Sequence, residues 1–226
     1  DFDLGLTRYH SGAIQLDGLA GGLDGCNPAT EAIALCSVVP SADVTIYSTA
    51  YLAKYSINEN MSVFGGLTRF ALEDSTVTTI AGHYEVNSET ENVTVYGAAY
   101  EIPDIALRVE AVFQEETTTA LTASSSLSPL LPTTAITGAS YTIPQTMTLN
   151  FQSGIAEDTL LFGSVHQQNW NTAQIIIPGN PNGINPVTFA PDAAVSPVGS
   201  SFSDKTAYSI GVGRKISDKL SLSLSY

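Results

Sequence analysis

The sequence is poor in basic residues: eight lysines and arginines stand against 22 acidic residues, a formal net charge of −14. Without a cluster of Lys or Arg to neutralise phosphates, a nucleic-acid-binding function is excluded. Charged residues make up only 13% of the chain, against roughly 25% in an ordinary soluble domain. No run approaches the roughly 20 apolar residues of a spanning helix, which excludes a helical membrane protein.

Groups that carry catalysis are also scarce. The three histidines, His10, His83 and His166, are scattered, and no Ser/His/Asp, Cys/His or clustered carboxylate arrangement has useful spacing. The sequence therefore predicts no enzyme, no cofactor and no metal site. The two cysteines, Cys26 and Cys36, lie in a Gly/Pro-rich segment. A disulfide between them would contribute about 2–3 kcal/mol and fits an oxidising compartment; two unpaired thiols are the alternative.

The chain instead shows a regular alternation of apolar and polar residues. In "KLSLSLSY" (219–226), leucines and serines fall on opposite sides of an extended chain. A soluble sheet would bury the leucines, whereas a transmembrane barrel turns them toward lipid and keeps the serines inside. Similar patterns predict nine strands, many long enough to cross a bilayer with tilt. They are 2–14, 42–57, 61–71, 91–102, 105–117, 138–153, 159–170, 204–216 and 219–226.

Short and long connections alternate strictly along the chain. The tight turns are 58–60, 103–104, 154–158 and 217–218, and the long connections are 15–41, 72–90, 118–137 and 171–203. Outer-membrane barrels sort their loops in this way, with the short turns on the periplasmic side. We therefore predict an all-β fold, a transmembrane antiparallel up-and-down β-barrel, in a single domain over 1–226. Nine strands cannot close a single-chain barrel, so the chain is expected to be part of a longer one.

Four stretches carry a resemblance to a known family. They are "NENMSVFGGLTRF" (58–70), "VYGAAYEIPDIALRVEAVF" (95–113), "IPQTMTLNFQSGIAEDTLLFGSVHQQNW" (143–170) and "KTAYSIGVGRKISDKLSLSLSY" (205–226). Together they resemble the FadL-type outer-membrane transporters of long-chain fatty acids and related hydrophobic compounds, especially the alphaproteobacterial branch. Residues 1–57 contribute little to this resemblance.

The resemblance implies a monomeric barrel of about fourteen strands, plugged by an N-terminal hatch, in the bacterial outer membrane. Hatch and closing strands are expected to be missing here. It implies passive uptake of long-chain fatty acids or other hydrophobic small molecules without a cofactor, in contact with outer-membrane lipid and lipopolysaccharide. A general porin or structural barrel is the first alternative, and a secreted β-sandwich or adhesin domain is the second.

Four residues are candidate ligand contacts. Arg108 lies on the strand face opposite Leu107 and Val109, together with Glu110; we favour an internal Arg–Glu pair over ligand binding. Phe162 and His166 share one face of their strand, either as an apolar patch in the lumen or as packing against a plug. Trp170 ends that strand, where an aromatic girdle is favoured over ligand contact.

Overall fold

The computed structural model describes residues 1–16, 41–79, 82–126, 133–172, 175–177, 198–199 and 202–226. The expected Cys26–Cys36 disulfide lies outside these residues. In the part described, no helix has the length and apolar character needed to span a membrane. The strands are β1 (Phe2–Leu16), β2 (Ser41–Ser56), β3 (Met61–Leu72), β4 (Ser75–Thr79), β5 (Gly82–Val86), β6 (Glu89–Ile102), β7 (Leu107–Gln114), β8 (Thr117–Ala120), β9 (Ala123–Ser126), β10 (Thr134–Ile136), β11 (Ser140–Ile143), β12 (Thr146–Ala156), β13 (Thr159–Gln168), β14 (Ile175–Ile177), β15 (Val198–Gly199), β16 (Lys205–Ser217) and β17 (Leu220–Ser225).

Nine long strands form an antiparallel meander. Each long strand pairs with the following long strand, in the order β1, β2, β3, β6, β7, β12, β13, β16 and β17. Each corresponds to one of the nine predicted strands, so the all-β, up-and-down architecture is confirmed. Among the described residues β1 pairs only with β2, and β17 only with β16, and the wall is therefore open.

The short connections are tight turns with local chemistry to match. After β2, the Asn58 Oδ1 accepts hydrogen bonds from the backbone amides of Asn60 and Met61, at 2.9 and 2.8 Å, an Asx-type turn. Between β6 and β7 a 3₁₀ turn over Pro103–Ile105 ends at Ala106, whose φ is 50°. In the β12–β13 turn Asp158 also has positive φ, at 54°. All of these turns lie at one end of the sheet.

The two faces of the meander differ in character. The outer face carries exposed aliphatic and aromatic side chains: Leu4 is 78% exposed, Tyr208 73% and Leu224 81%. Cross-strand pairing of Val212 with Leu224 places the β17 leucines on the same face as the apolar side chains of β16. On the inner face of β6, by contrast, Val95 is buried. The leucines of "KLSLSLSY" therefore lie on the exposed outer face and not in a dry interior, which agrees with the prediction.

At the end opposite the short turns, the chain builds a lobe mostly from segments expected to be loops. The exception is β11, because the predicted strand 138–153 divides into β11 in the lobe and β12 in the meander. Within 72–90, strands β4 and β5 extend the β3–β6 pair, and β9 and β10 continue this sheet. Strands β8, β11, β14 and β15 form a second sheet. The expected connection 15–41 lies mostly outside the described residues. Buried apolar side chains fill the lobe: Tyr84, Val86, Leu121, Ala123, Ile136, Ala139 and Ile177.

One cross-strand contact on the inner face depends on glycine. Phe162 of β13 pairs directly with Gly211 of β16. A Cβ at Gly211 would lie 2.6 Å from Phe162 Cζ and 2.9 Å from the Leu224 carbonyl oxygen. The phenyl ring therefore occupies space over Gly211 that a side chain at this position would fill. Two residues along, a Cβ at Gly213 would meet nothing closer than 3.8 Å.

We expect Gly211→Ala to destabilise the folded chain by about 1–3 kcal/mol, because the methyl group forces both the ring and the neighbouring backbone to move. Gly213→Ala is the matched control on the same strand and face, and should change stability by less than about 0.5 kcal/mol. Urea unfolding of the purified protein, followed by far-UV circular dichroism, measures both. Equal stability of the two variants would show that Phe162 does not rest on Gly211.

Candidate ligand-binding site

A charged network lies on the inner face near the short turns. The Arg108 guanidinium donates one hydrogen bond to Glu101 Oε1 and another to Glu110 Oε2. Asn150 Nδ2 of β12 donates to Glu110 Oε1 at 3.1 Å. The network therefore joins β6, β7 and β12 by charge-assisted hydrogen bonds, the strong class. This geometry favours the internal-pair interpretation of Arg108, because its guanidinium already binds two carboxylates; ligand binding by Arg108 stays a prediction.

Further side-chain hydrogen bonds continue along the inner face toward the lobe. Thr148 Oγ1 lies 2.6 Å from His166 Nδ1, a hydrogen bond between β12 and β13. Ser164 and Ser209 hydroxyls, 2.8 Å apart, join β13 to β16. His166 is thus held against the wall by a hydroxyl partner. The inner face of this part of the sheet is a row of satisfied polar groups.

Phe162 lies beside a wide cleft at the short-turn end, with a volume of about 840 Å³. The walls come from the β6–β7 and β12–β13 turns and from β16 and β17. Phe162, whose ring lies over Gly211, contributes apolar surface to this cleft. Other lining residues include Ile105, Ala106, Ile155, Leu160, Gly213 and Ser223.

A second, more apolar pocket of about 460 Å³ lies at the opposite end, beside the lobe. One wall comes from β1 and β2, the facing wall from Trp170 just after β13 and from the residues that lead into β16, and the lobe adds residues from β11 and β14. It therefore lies between two distant parts of the meander, at its mouth. The pocket is lined by Gly12, Ala13, Val44, Ile46, Tyr141, Trp170, Ile175, Phe202, Ser203 and Lys205.

Aromatic contacts and two polar groups shape this mouth pocket. The rings of Trp170 and Phe202 meet edge to face with centroids 5.6 Å apart, and Trp170 Nε1 donates to Gln168 Oε1 at 2.9 Å. Burial raises the pKa of Tyr141 above its ordinary value, because the charged phenolate is disfavoured in an apolar surrounding. Lys205 provides the pocket's only cation among the described residues. An apolar cavity with one cation suits an amphiphile or an apolar ligand.

The four predicted site residues therefore do not form one site. Trp170 lines the mouth pocket, Phe162 lines the cleft at the other end, and Arg108 and His166 belong to the polar row of the inner face. Sequence reasoning missed most of the mouth pocket. Tyr141 lay within a predicted strand but gave no sign of pairing across the mouth, and Ile175 and Phe202 lay in an expected loop.

Comparison with solved structures identifies the fold. The chain is similar to a FadL homologue from Pseudomonas aeruginosa, with a TM-score of 0.62 and 11% identity over 99% of this chain and 56% of that one. It is similar to the toluene transporter TbuX of Ralstonia pickettii (TM-score 0.59, 10% identity, 99% and 64%). It is also similar to the toluene transporter TodX of Pseudomonas putida (0.54, 10%, 99% and 63%).

The chain thus has the fold of the FadL-type barrels, as its sequence motifs predicted; the alphaproteobacterial branch stays a prediction. It spans between 56% and 64% of the length of these three solved structures. No protein-family model matches the chain. No curated protein matches it in sequence.

Replacing Arg108 with methionine should destabilise the protein by about 1–3 kcal/mol, because Glu101 and Glu110 lose a shared charged donor. Adding Glu101→Gln and Glu110→Gln to that variant should recover part of the loss, since no carboxylates are then left facing each other. The measurement is the urea-unfolding midpoint at neutral pH.

The matched control is Lys54→Met. Lys54 lies on the same inner face but forms no ion pair with a described residue, so its loss should have little effect. An Arg108→Met variant as stable as Lys54→Met would contradict a structural role for the network.

Proposed function

We propose that the protein is a bacterial outer-membrane channel for passive uptake of long-chain fatty acids or other hydrophobic small molecules. The mouth pocket carries the proposal: its volume falls within the roughly 300–1,000 Å³ usual for small-ligand sites, and its lining is almost wholly apolar. Likeness in fold to a FadL homologue and to two toluene transporters supports this class of ligand. We also propose that the protein works as a monomer and without enzymatic activity.

The outer face supports a membrane location. Its side chains include Leu4, Tyr208 and Leu224, all highly exposed, and such a continuous apolar surface is costly in water at roughly 25 cal/mol per Å². Except at the free edges of β1 and β17, the antiparallel ladder satisfies the backbone polar groups of the nine long strands, as the hydrocarbon core requires. With the short turns on the periplasmic side, the lobe and its mouth pocket face outward.

Lys205 supports an amphiphilic ligand in particular. An alkyl chain would fill the apolar pocket, at about 0.8 kcal/mol for each buried methylene. Its carboxylate would approach the ammonium group of Lys205 at the pocket's edge, which avoids leaving that charge unpaired. A neutral hydrocarbon would use the same apolar lining without Lys205. The two ligand classes can therefore be separated by substitution at this residue.

The proposed lipid-facing surface can be tested with two neighbouring residues of β16 that lie on opposite faces of the sheet. Ile210→Arg places a charge on the outer face and should cost about 2–4 kcal/mol near the membrane midplane. Ser209→Arg, on the inner face, should be tolerated. Folded fractions in lipid vesicles, read from the heat-dependent shift on SDS gels, compare them. Equal folding of both variants would contradict the proposed lipid-facing surface.

The mouth pocket gives a second test, with neighbouring residues of β14. Ile175 lines the pocket, whereas the next residue, Ile176, is 43% exposed. Ile175→Asp should weaken oleate binding at least about tenfold, because a charge in an apolar site is costly. Ile176→Asp is the control and should bind normally. Calorimetric titration of oleate into protein in detergent measures both.

Because Ile175 also packs against the lobe core, Lys205→Met provides a milder variant. It should lower oleate affinity and leave toluene affinity unchanged. Protein in liposomes should carry oleate and pass no sugars, whereas a general porin would pass sugars. Sugar permeation together with normal oleate binding by Ile175→Asp would overturn the proposed function.

A further inference from the structure

Two arginines share one level of the outer face at the lobe end of the sheet. Strand pairing aligns Arg8 of β1 with Thr49 of β2, and Thr49 with Arg69 of β3. Asn92 of β6 continues the same row beside Arg69. With strands roughly 4.8 Å apart, the two arginine backbones lie about 10 Å from each other. Both arginine side chains are exposed.

An apolar row lies directly beneath. Leu6, Tyr51 and Leu67 pair with one another on the same three strands, two residues closer to the short turns. At about 3.3 Å per residue this is a step of roughly 7 Å. All three side chains are exposed, Tyr51 by 51%. The arginine row therefore marks the upper edge of the apolar band.

Neither arginine is neutralised by the described residues around it. Arg8 lies over the Tyr47 ring, 5.2 Å from its centroid. Arg69 makes one long hydrogen bond, 3.5 Å, to Thr90 Oγ1. Neither forms an ion pair with a described residue, although the chain has 22 acidic residues and only eight basic ones. Two guanidinium groups on one face without an ion-pair partner in the described part of the chain are therefore a strong local departure from its net negative charge.

We propose that Arg8 and Arg69 bind the phosphate groups of lipopolysaccharide in the outer leaflet. Guanidinium groups form bidentate hydrogen bonds with phosphate oxygens, and Thr49 and Asn92 add neutral polar groups between and beside them. Tyr47 and Tyr51 present aromatic surface at the boundary, where such rings prefer to lie. Acyl chains of the bound lipid would then run along the apolar row beneath.

The position and the positive charge of the two arginines indicate which molecule binds there. The site faces away from the mouth pocket, on the opposite side of the sheet, so a transported ligand in that pocket does not reach it. Its level is the boundary between the apolar band and the lobe, where only an anionic group anchored in the outer leaflet meets both arginines. The inference rests on the proposed membrane location and orientation, and it is independent of the ligand that is carried.

The test measures binding of purified lipopolysaccharide to the protein in detergent micelles, by native mass spectrometry. Arg8→Gln/Arg69→Gln should lower affinity at least about tenfold, from loss of two charge-assisted contacts. Arg214→Gln is the matched control: Arg214 is also exposed on the outer face but pairs with Leu222 at the short-turn end, so affinity should not change. Enzymatically dephosphorylated lipopolysaccharide should bind wild type and double variant equally weakly.

Unchanged lipopolysaccharide affinity in the double variant would overturn the proposal, as would equal wild-type affinity for the phosphorylated and dephosphorylated forms. A loss of binding free energy in Arg214→Gln of half that in the double variant, or more, would also overturn it, because each lost charge would then count equally wherever it lies. Oleate titration on the same samples separates this site from the carried ligand. If the double variant loses lipopolysaccharide binding but binds oleate normally, the lipopolysaccharide proposal is supported. It is equally supported if the double variant loses lipopolysaccharide binding and even the wild type does not bind oleate, since only the proposed transport function would then fail.

Discussion

The backbone hydrogen-bond ladder between the nine long strands is the constraint on which the rest of the structure depends. An unpaired peptide group costs several kcal/mol in an apolar medium, and between paired strands the antiparallel ladder removes that cost without using a single side chain. One face can then be aliphatic from Leu4 to Leu224, while the other holds Arg108 and its carboxylates. The tight turns at Asn58 and Pro103 keep consecutive strands adjacent, so the ladder has no long crossovers.

In the lobe, where the meander ends, apolar side chains point inward to a core and not outward as they do on the outer face of the meander. In the lobe, Tyr84 and Ile177 point into a shared core, fully or almost fully buried, as in any water-soluble protein. Below it, side chains of the same type, such as Tyr208 and Ile210, are exposed on the outer face. The mouth pocket lies where the two patterns meet, because there the apolar lobe faces the inner side of β2 and β16. An apolar cavity at this junction follows from the change of pattern, and it suits the proposed capture of hydrophobic molecules.

Much of the fold could be predicted from sequence because two local signals agree. Strand alternation, as in "KLSLSLSY", fixes the faces, and the alternation of short and long connections fixes the up-and-down order. Most of the lobe could not be predicted, since its strands are too short to show a clear alternation and several pair with partners distant in sequence, as Ala123–Ser126 pairs with Gly82–Val86. The candidate site likewise has a part that could be predicted from sequence and a part that could not. Arg108 and Glu110 are two residues apart and their pairing was expected, but the meeting of Ile46, Tyr141 and Phe202 depends on the curvature of the whole sheet.

The central claim is that the apolar face of the meander contacts acyl chains and the polar face an enclosed aqueous space. Spin labels placed one at a time along 206–213 of β16, in protein inserted in lipid vesicles, test it most directly. The account predicts a period of two: labels at even positions collide with oxygen dissolved in the lipid, and labels at odd positions collide with a water-soluble nickel chelate. Uniform accessibility along the strand, or alternation in the opposite phase, would contradict it.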